Sequence, residues 1–233
     1  MIKYFLFTIS LLFSFNVHSE IDPFENINQI THKINNQLDE AFAAPVARAY
    51  VNFMPDKLEI GVSNFVANYE DVNIGINNFL QGKIKEGLSD TARLLTNSTI
   101  GLFGFIDVAS KLGLEKHDED FGQTLGYWGV PSGPYIVLPI LGPSSLRDTA
   151  ARIPDAFLGG LFFIDHERTG YELTLLDLLE TRARYLGMES LIIGDEYLFY
   201  RDAYFQNREY EIADGVLNDN FDEFNDFDDF YEE

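Results

Sequence analysis

The chain has 233 residues, of which 46% are hydrophobic, and its 38 acidic and 16 basic side chains give a formal net charge of −22. One globular domain is the usual expectation at this length, and the apolar content excludes a wholly disordered chain. The negative charge disfavours a nucleic-acid partner and a polybasic contact with anionic lipid. Since the sequence contains no cysteine, disulfides, thiolate metal sites and thiol nucleophiles are excluded.

Residues 1–19 have the three parts of a secretory signal peptide. Lys3 supplies a positive n-region, a predominantly apolar stretch of twelve residues follows from Tyr4 to Phe15, and Val17 and Ser19 occupy positions −3 and −1 of a cleavage site. A retained N-terminal anchor is the alternative, but a helix of that length rises only about 18 Å, whereas the hydrocarbon core is about 30 Å thick. The sequence therefore predicts export to the bacterial envelope, with a folded domain over 20–213 and a tail over 214–233.

Three segments of the folded domain carry apolar residues at the spacing of one helical face. The longest runs from Leu58 to Leu80, and Pro55 followed by Asp56 is a typical helix start. Gly82 separates this segment from the second one. The apolar positions of the second and third segments are Ile84, Leu88, Ala92 and Leu95, and Leu173, Leu176, Leu179, Ala183 and Leu186. These patterns predict amphipathic helices.

The stretch from Gly126 to Pro143 combines glycines and prolines with aromatic and branched side chains. Glycines and prolines at this density predict a turn-bounded hairpin or an ordered loop. Because a plain linker has little reason to be apolar, we expect this stretch to be packed or to face a membrane.

The C-terminal tail, from Asp214 to Glu233, holds nine acidic residues and no basic ones. Charge of one sign predicts a solvated, disordered tail. Phenylalanines stand at every third position of its second half, which leaves a partner-binding motif as the alternative. These residues are Phe221, Phe224, Phe227 and Phe230.

Residue patterns of known catalytic and metal sites are missing from the sequence. His32, His117 and His166 lack the i, i+4 spacing of a zinc site, and no G-x-S-x-G elbow occurs. The charged run from Glu115 to Asp120 is typical of an exposed loop before a helix, with acid–base chemistry as the weaker alternative. The sequence therefore predicts a non-enzymatic protein without a metal or cofactor.

A series of short motifs extends from Asp22 to Asp155. They are Asp22-Pro23-Phe24-Glu25, Pro45-Val46-Ala47-Arg48, Gly61-Val62-Ser63-Asn64-Phe65, Asn78-Phe79-Leu80-Gln81-Gly82, Asn97-Ser98-Thr99-Ile100-Gly101, Phe105-Ile106-Asp107-Val108-Ala109, residues 119–135, Leu138-Pro139 and residues 142–148. In number and order these motifs resemble the MlaA family, also called VacJ, of outer-membrane phospholipid-transport lipoproteins. A fainter resemblance covers residues 180–184 and 197–208.

The resemblance implies a mainly α fold, in which amphipathic helices form a ring-like arrangement in the membrane plane with one small hairpin. It implies residence at the periplasmic face of the outer membrane. Mislocalised phospholipids would leave the outer leaflet through an amphipathic channel, which would maintain lipid asymmetry. It further implies a trimeric outer-membrane porin and a soluble periplasmic lipid carrier as partners.

The stretch from Tyr127 to Tyr135 is the candidate for a channel-side hairpin that moves. Its members are Tyr127, Trp128, Gly129, Pro131, Gly133, Pro134 and Tyr135. The glycines allow movement, but they suit a static turn equally well. The aromatic rings suit a membrane interface, with core packing as the alternative.

Asp107, Asp120 and Arg147 also match the family pattern. The sequence leaves two roles open for them, contact with lipid head groups or structural ion pairs, and charges inside a fold are usually paired.

The chain departs from the family in lacking the cysteine that carries the lipid anchor of its members. We therefore expect a chain that is not lipidated and is held by its amphipathic surface, a porin or a retained signal segment. A non-enzymatic envelope adaptor that binds a porin or a periplasmic partner is the alternative function.

Overall fold

The computed structural model describes residues 22–158 and 167–216. The predicted signal peptide and residues 217–233 of the predicted tail lie outside these ranges. The boundary predicted between domain and tail stays a prediction.

The N-terminal half consists of four helices and a π-helical turn. Its elements are α1 (Glu25–Leu38), the π-helical turn (Asp39–Ala43), α2 (Ala44–Phe53), α3 (Asp56–Leu80) and α4 (Ile84–Thr99). The first predicted segment is confirmed as α3, which begins at Asp56 because Pro55 before it has extended backbone. Gly82, in the middle of the three-residue connection to α4, has a φ of +81°.

The C-terminal half contains the hairpin and four more helices. Its elements are a 3₁₀ turn (Ser110–Leu112), α5 (Phe121–Tyr127), β1 (Tyr135–Leu138), β2 (Gly142–Ser145), α6 (Leu146–Leu158), α7 (Glu167–Arg184), a 3₁₀ turn (Met188–Leu191) and α8 (Glu196–Ile212). The third predicted segment is confirmed as α7. The predicted class, mainly α with one small hairpin, is likewise confirmed.

The hairpin lies further along the chain than the predicted channel-side hairpin. β1 and β2 pair antiparallel, with Tyr135 opposite Ser145 and Leu138 opposite Gly142. The prediction of a hairpin over 127–135 was therefore wrong, because Tyr127 ends α5 and the next seven residues are a loop. Prolines without an N–H and glycines with positive φ keep that loop out of a strand ladder.

Two asparagines of α1 cover the open edge of β1. Asn28 donates to the Tyr135 carbonyl at 3.0 Å and accepts from the Val137 N–H at 2.9 Å. Asn35, two helical turns on, donates to the Leu138 carbonyl at 2.8 Å and accepts from the Ile140 N–H at 2.8 Å. The two side-chain amides take the place of a third strand and satisfy the edge.

The elements contact one another in a closed circuit. Starting from α1, each touches the next in the order β1, β2, α8, α5, α3, α7, α2 and the π-helical turn, which returns to α1. The order in space differs from the order in sequence, so that elements distant in the chain become neighbours. This circuit is the ring-like arrangement.

A small aromatic core sits where α8 crosses the hairpin. Tyr135, which is only 1% exposed, packs with Val137 and Tyr197, and the rings of Tyr204 and Phe205 lie against them. The interpretation of Tyr135 as a membrane-interface residue was therefore wrong, because its ring fills this core. The alternative of core packing is the correct one for this residue.

Candidate functional site

The described part of the chain buries more polar than apolar side chains. Nine hydrophobic residues are buried, compared with seventeen polar or charged ones, while many large apolar side chains are exposed, including Phe53 at 87%. Water-soluble domains show the opposite distribution. An apolar exterior around a polar interior is the arrangement expected where the surroundings are hydrocarbon.

The inversion is clearest on α3 and α4, two of the three predicted amphipathic segments. On α3, Leu58 and Leu80 of the predicted apolar stripe are exposed, whereas the side chains of several amides and of Asp71 are buried. On α4, Leu88 and Leu95 are exposed in the same way. The predicted apolar stripe of α4 and the two ends of the stripe of α3 therefore face outward.

Two cavities lie along helices α3 and α7, and we call the region that holds both of them the groove. The first, which we call the Tyr50 cavity, has a volume of about 220 Å³ and is lined chiefly by Tyr50, Glu59, Ser63, Asn64, Glu180 and Arg184. The second, the Asp155 cavity, has a volume of about 310 Å³ and is lined chiefly by Glu70, Asn73, Asp118, Glu119, Asp120 and Asp155. From Glu59 to Glu70 a helix rises about 16 Å, so the two cavities lie at different levels of α3.

Burial raises the pKa of several carboxyl groups along this groove. It raises the pKa of Glu70, against the opposing charge of Lys116, and the pKa of Asp155, against a hydrogen bond from the Asn73 amide. Burial likewise raises the pKa of Asp177. Burial and, from across the groove, the charge of Asp177 raise the pKa of Tyr69 of α3. In the Tyr50 cavity, the Tyr50 hydroxyl is buried without a hydrogen-bond partner. The groove thus offers polar groups to a bound molecule.

Asp120 and Arg147, two of the predicted polar residues, belong to one ion-pair network. Arg208 of α8 donates to Asp120 at 2.6 Å and to Asp148 at 3.1 Å, and Arg147 donates to Asp148 at 2.7 Å. The Tyr204 hydroxyl also donates to Asp148. Asp148 is the centre of this network and was not singled out from the sequence, although it stands in a motif that resembles the family.

Asp107, the third predicted polar residue, organises the loop after α4. It accepts from the Asn97 amide at 3.1 Å, from the Ser110 backbone N–H at 3.0 Å and from the Ser110 hydroxyl, and Arg93 lies within 3.4 Å. Although burial opposes it, this set of donors lowers the pKa of Asp107 to about 2. All three predicted polar residues therefore have protein partners, as the structural alternative requires, and contact with head groups stays a prediction.

The loop after α5 places its predicted residues at the surface. Tyr127 and Trp128 are half exposed, and the Trp128 indole donates to the Leu80 carbonyl at 3.2 Å. Beyond them, Gly129, Pro131 and Gly133 are exposed and Pro134 is half-buried. None of these residues lines either of the two cavities. Their role in the channel stays a prediction.

Gly129 and Gly133 give a matched pair for testing that role. Both have positive φ, +86° and +70°, but a Cβ at Gly129 meets open space, whereas one at Gly133 comes within 3.2 Å of Leu146. We expect Gly129→Ala to lower the free energy of unfolding by about 1 kcal/mol and Gly133→Ala by more, because contact adds to backbone strain. Denaturant unfolding measures this. If both variants still fold yet lose lipid transport, movement of this loop is supported over a static turn.

His117, from the charged run before α5, pairs its Nδ1 with Asp90 at 3.0 Å. Within residues 22–158 and 167–216, no three or more His, Asp or Glu side chains are grouped so that they could hold a metal ion. In the same ranges, no helix combines the length and the apolar character needed to cross a membrane.

Comparison with known proteins agrees with this architecture. The family model described as MlaA lipoprotein matches residues 20–211. The chain belongs to the MlaA lipoprotein family. A relative from Escherichia coli K12, named "Intermembrane phospholipid transport system lipoprotein MlaA", is 36% identical over 200 residues, which cover 83% of this chain and 79% of the relative. A Haemophilus influenzae protein of the same name is 30% identical over 209 residues, 84% of this chain and 81% of its own.

A solved structure shares the fold. It is described as "Structural basis for maintenance of bacterial outer membrane lipid asymmetry" and aligns with a TM-score of 0.75 at 32% identity, over 83% of this chain and all of the other. The predicted family and ring-like helical fold are thereby confirmed.

Proposed function

We propose that this chain is the outer-membrane component of an intermembrane phospholipid transport system. It removes mislocalised phospholipids from the outer leaflet through its polar groove and so maintains lipid asymmetry. The observation that carries the proposal is the inverted distribution of side chains, polar inside and apolar outside. The names of the relatives support the same function.

The physical argument starts from the phospholipid. A head group that crosses a leaflet needs polar partners, since burial of an unpaired polar group costs roughly 2 to 7 kcal/mol. The tails lose nothing by staying in hydrocarbon. The groove between α3 and α7 supplies polar side chains along its length, and the exposed apolar side chains of the helices suit the surrounding tails.

The remaining parts of the proposal concern setting and partners. The protein is exported and lies at the periplasmic face of the outer membrane, where its apolar exterior holds it without a lipid on cysteine. It acts beside a porin trimer, passes phospholipid to a soluble periplasmic carrier, and works without catalysis or a cofactor. The family resemblance supports the setting and the partners, whereas retention without a lipid anchor is inferred from the lack of cysteine.

The test is the phospholipid content of the outer leaflet in a strain that lacks the gene, with and without the gene restored. We expect accumulation on deletion and its reversal on restoration. An unchanged outer leaflet would contradict transport and favour the adaptor alternative.

Ser63 offers a sharper test, because it lines the Tyr50 cavity. Ser63→Phe should place a ring in the groove and leave outer-leaflet phospholipid at least fivefold above the level in cells that express the parent chain. Ser63→Ala is the matched control, since it removes the hydroxyl but keeps the space, and it should behave like the parent. Equal transport by the two variants would exclude this groove as the route.

A further inference from the structure

The loop after α4 carries an exposed apolar tip. Leu102 is 62% exposed and Phe103 is 78% exposed, and Ile100 before them is exposed as well. The tip stands between two of the family-like motifs, 97–101 and 105–109. We call residues 101–106 the Leu102 loop.

The base of the Leu102 loop is held by a dense set of hydrogen bonds. Asn97 accepts the Gly104 N–H with its backbone carbonyl at 2.8 Å, and its side-chain oxygen accepts the N–H groups of Val108 and Ala109. The Ile106 N–H bonds to the Gly101 carbonyl at 2.9 Å. These hydrogen bonds hold the loop, and with it the tip, in one defined conformation.

That conformation is strained at the tip. Leu102 and Phe103 have φ of +55° and +60°, the left-handed region that bulky side chains rarely adopt, and Gly104 follows at +93°. Strain of this kind persists where the surroundings enforce it and is typical of functional positions. The loop keeps two large apolar side chains pointed away from the protein at the expense of local stability.

The Leu102 loop packs beside the Tyr50 cavity. Asn64, which lines that cavity, donates to the Phe105 carbonyl at 3.2 Å, and the Phe105 ring lies 5.5 Å from that of Phe65. Ile60, another cavity residue, is exposed. One stretch of α3 thus forms the cavity wall on one side and holds the loop on the other.

We propose that Leu102 and Phe103 form a wedge that inserts among phospholipid acyl chains at the mouth of the Tyr50 cavity. The wedge separates neighbouring tails where a head group enters the groove. Acyl chains are the expected partner because the tip has no polar side chain and continues the apolar exterior that includes Ile60 and Ile100. The inference rests on the proposed transport function.

The first test distinguishes loss of the wedge from loss of folding stability. A Leu102→Asn, Phe103→Asn double variant should fold at least as stably as the parent, because asparagine tolerates positive φ. We nevertheless expect cells that express it to show at least fivefold more outer-leaflet phospholipid than cells with the parent chain. Ile140→Asn is the matched control, since Ile140 is 71% exposed with a φ of +69° but lies in the hairpin turn, and it should stay within twofold of the parent.

The second test measures insertion directly. A Phe103→Trp, Trp128→Phe variant is bound to phosphatidylethanolamine vesicles with brominated acyl chains, and its fluorescence should be at least halved relative to unbrominated vesicles. Full activity of the double asparagine variant, or no quenching, overturns the wedge. Failure of the parent chain itself to restore the outer leaflet would instead contradict the proposed function.

Discussion

Asp148→Ala should lower the free energy of unfolding by about 3 to 5 kcal/mol, the usual loss when one partner of a buried ion pair is removed. The carboxylate of Asp148 accepts from Arg147, Tyr204 and Arg208 at the junction of α6 and α8. Arg147 is buried and Arg208 nearly so, and the substitution leaves both without this acceptor. Urea unfolding of the purified protein in detergent measures the loss.

The control for Asp148 is Asp202→Ala. Asp202 is an exposed partner of Arg201 at 3.0 Å, and such surface pairs contribute about 0 to 1 kcal/mol. A loss at Asp148 no larger than that at Asp202 would show that the network does not hold α6 and α8 together.

Acidic pH should lower the free energy of unfolding of the parent chain through the carboxyl group of Asp148. Although burial raises the pKa of Asp148, hydrogen bonds from Arg147 and the charge of Arg208 outweigh burial and hold it well below its ordinary value. A carboxyl with a depressed pKa stabilises the fold above its unfolded pKa, and this contribution is lost as pH falls through the folded value. The advantage of the parent over Asp148→Ala should therefore persist down to about pH 4 and shrink in stronger acid.

Asp71→Asn should act in the opposite direction and stabilise the protein. Asp71 is 1% exposed, and neither of its carboxylate oxygens has a hydrogen bond. The Nε atom of Arg93 and the Nζ atom of Lys116 lie 3.7 and 3.8 Å from these oxygens. Burial raises the pKa from 3.8 to about 6 despite these two cations, and the neighbouring carboxylates of Asp90 and Asp107 add to the rise. The ionised form is thus disfavoured in the folded protein.

The sign of this effect fixes its pH dependence. A carboxyl with a raised pKa contributes stability below its unfolded pKa and loses that contribution as pH rises through the folded value near 6. Asn cannot ionise, so the free energy of unfolding of Asp71→Asn should exceed that of the parent by about 2 to 3 kcal/mol at pH 8 and match it near pH 4. Unfolding curves at pH 4, 6 and 8 measure this.

Glu115→Gln removes an exposed carboxylate from the loop before α5 and serves as the control. It should change stability by less than about 0.5 kcal/mol. Destabilisation by Asp71→Asn at pH 8 would show instead that Arg93 and Lys116 need the charge of Asp71.

Local signals in the sequence were sufficient for three of the helices, α3, α4 and α7. The start of α3 follows from Pro55 and Asp56, and its end follows from Gly82, because proline and glycine restrict or permit backbone angles whatever the surroundings. The predicted stretch from Gly126 to Pro143 contains β1 and only the first half of β2, and the hairpin was assigned to residues 127–135. Glycines and prolines mark turns but do not fix strand register.

The positive φ of Leu102 and Phe103 had no signal in the sequence. Bulky residues disfavour that region by themselves, and the hydrogen bonds that enforce it reach Asn97 from Gly104 inside the loop and from Val108 and Ala109 after it. Nor could sequence spacing pair Asp148 with Arg208, because 60 residues separate them.

The sequence by itself determined the family, three of the helical segments and the amphipathic character of α3 and α4. The tertiary structure alone decided which face of each helix is buried. A period of 3.6 residues is the same whether the apolar stripe faces a core or a lipid. Only the contacts of α3 with its neighbours reveal that Asp71 and several amides lie inside while Leu58 and Leu80 lie outside.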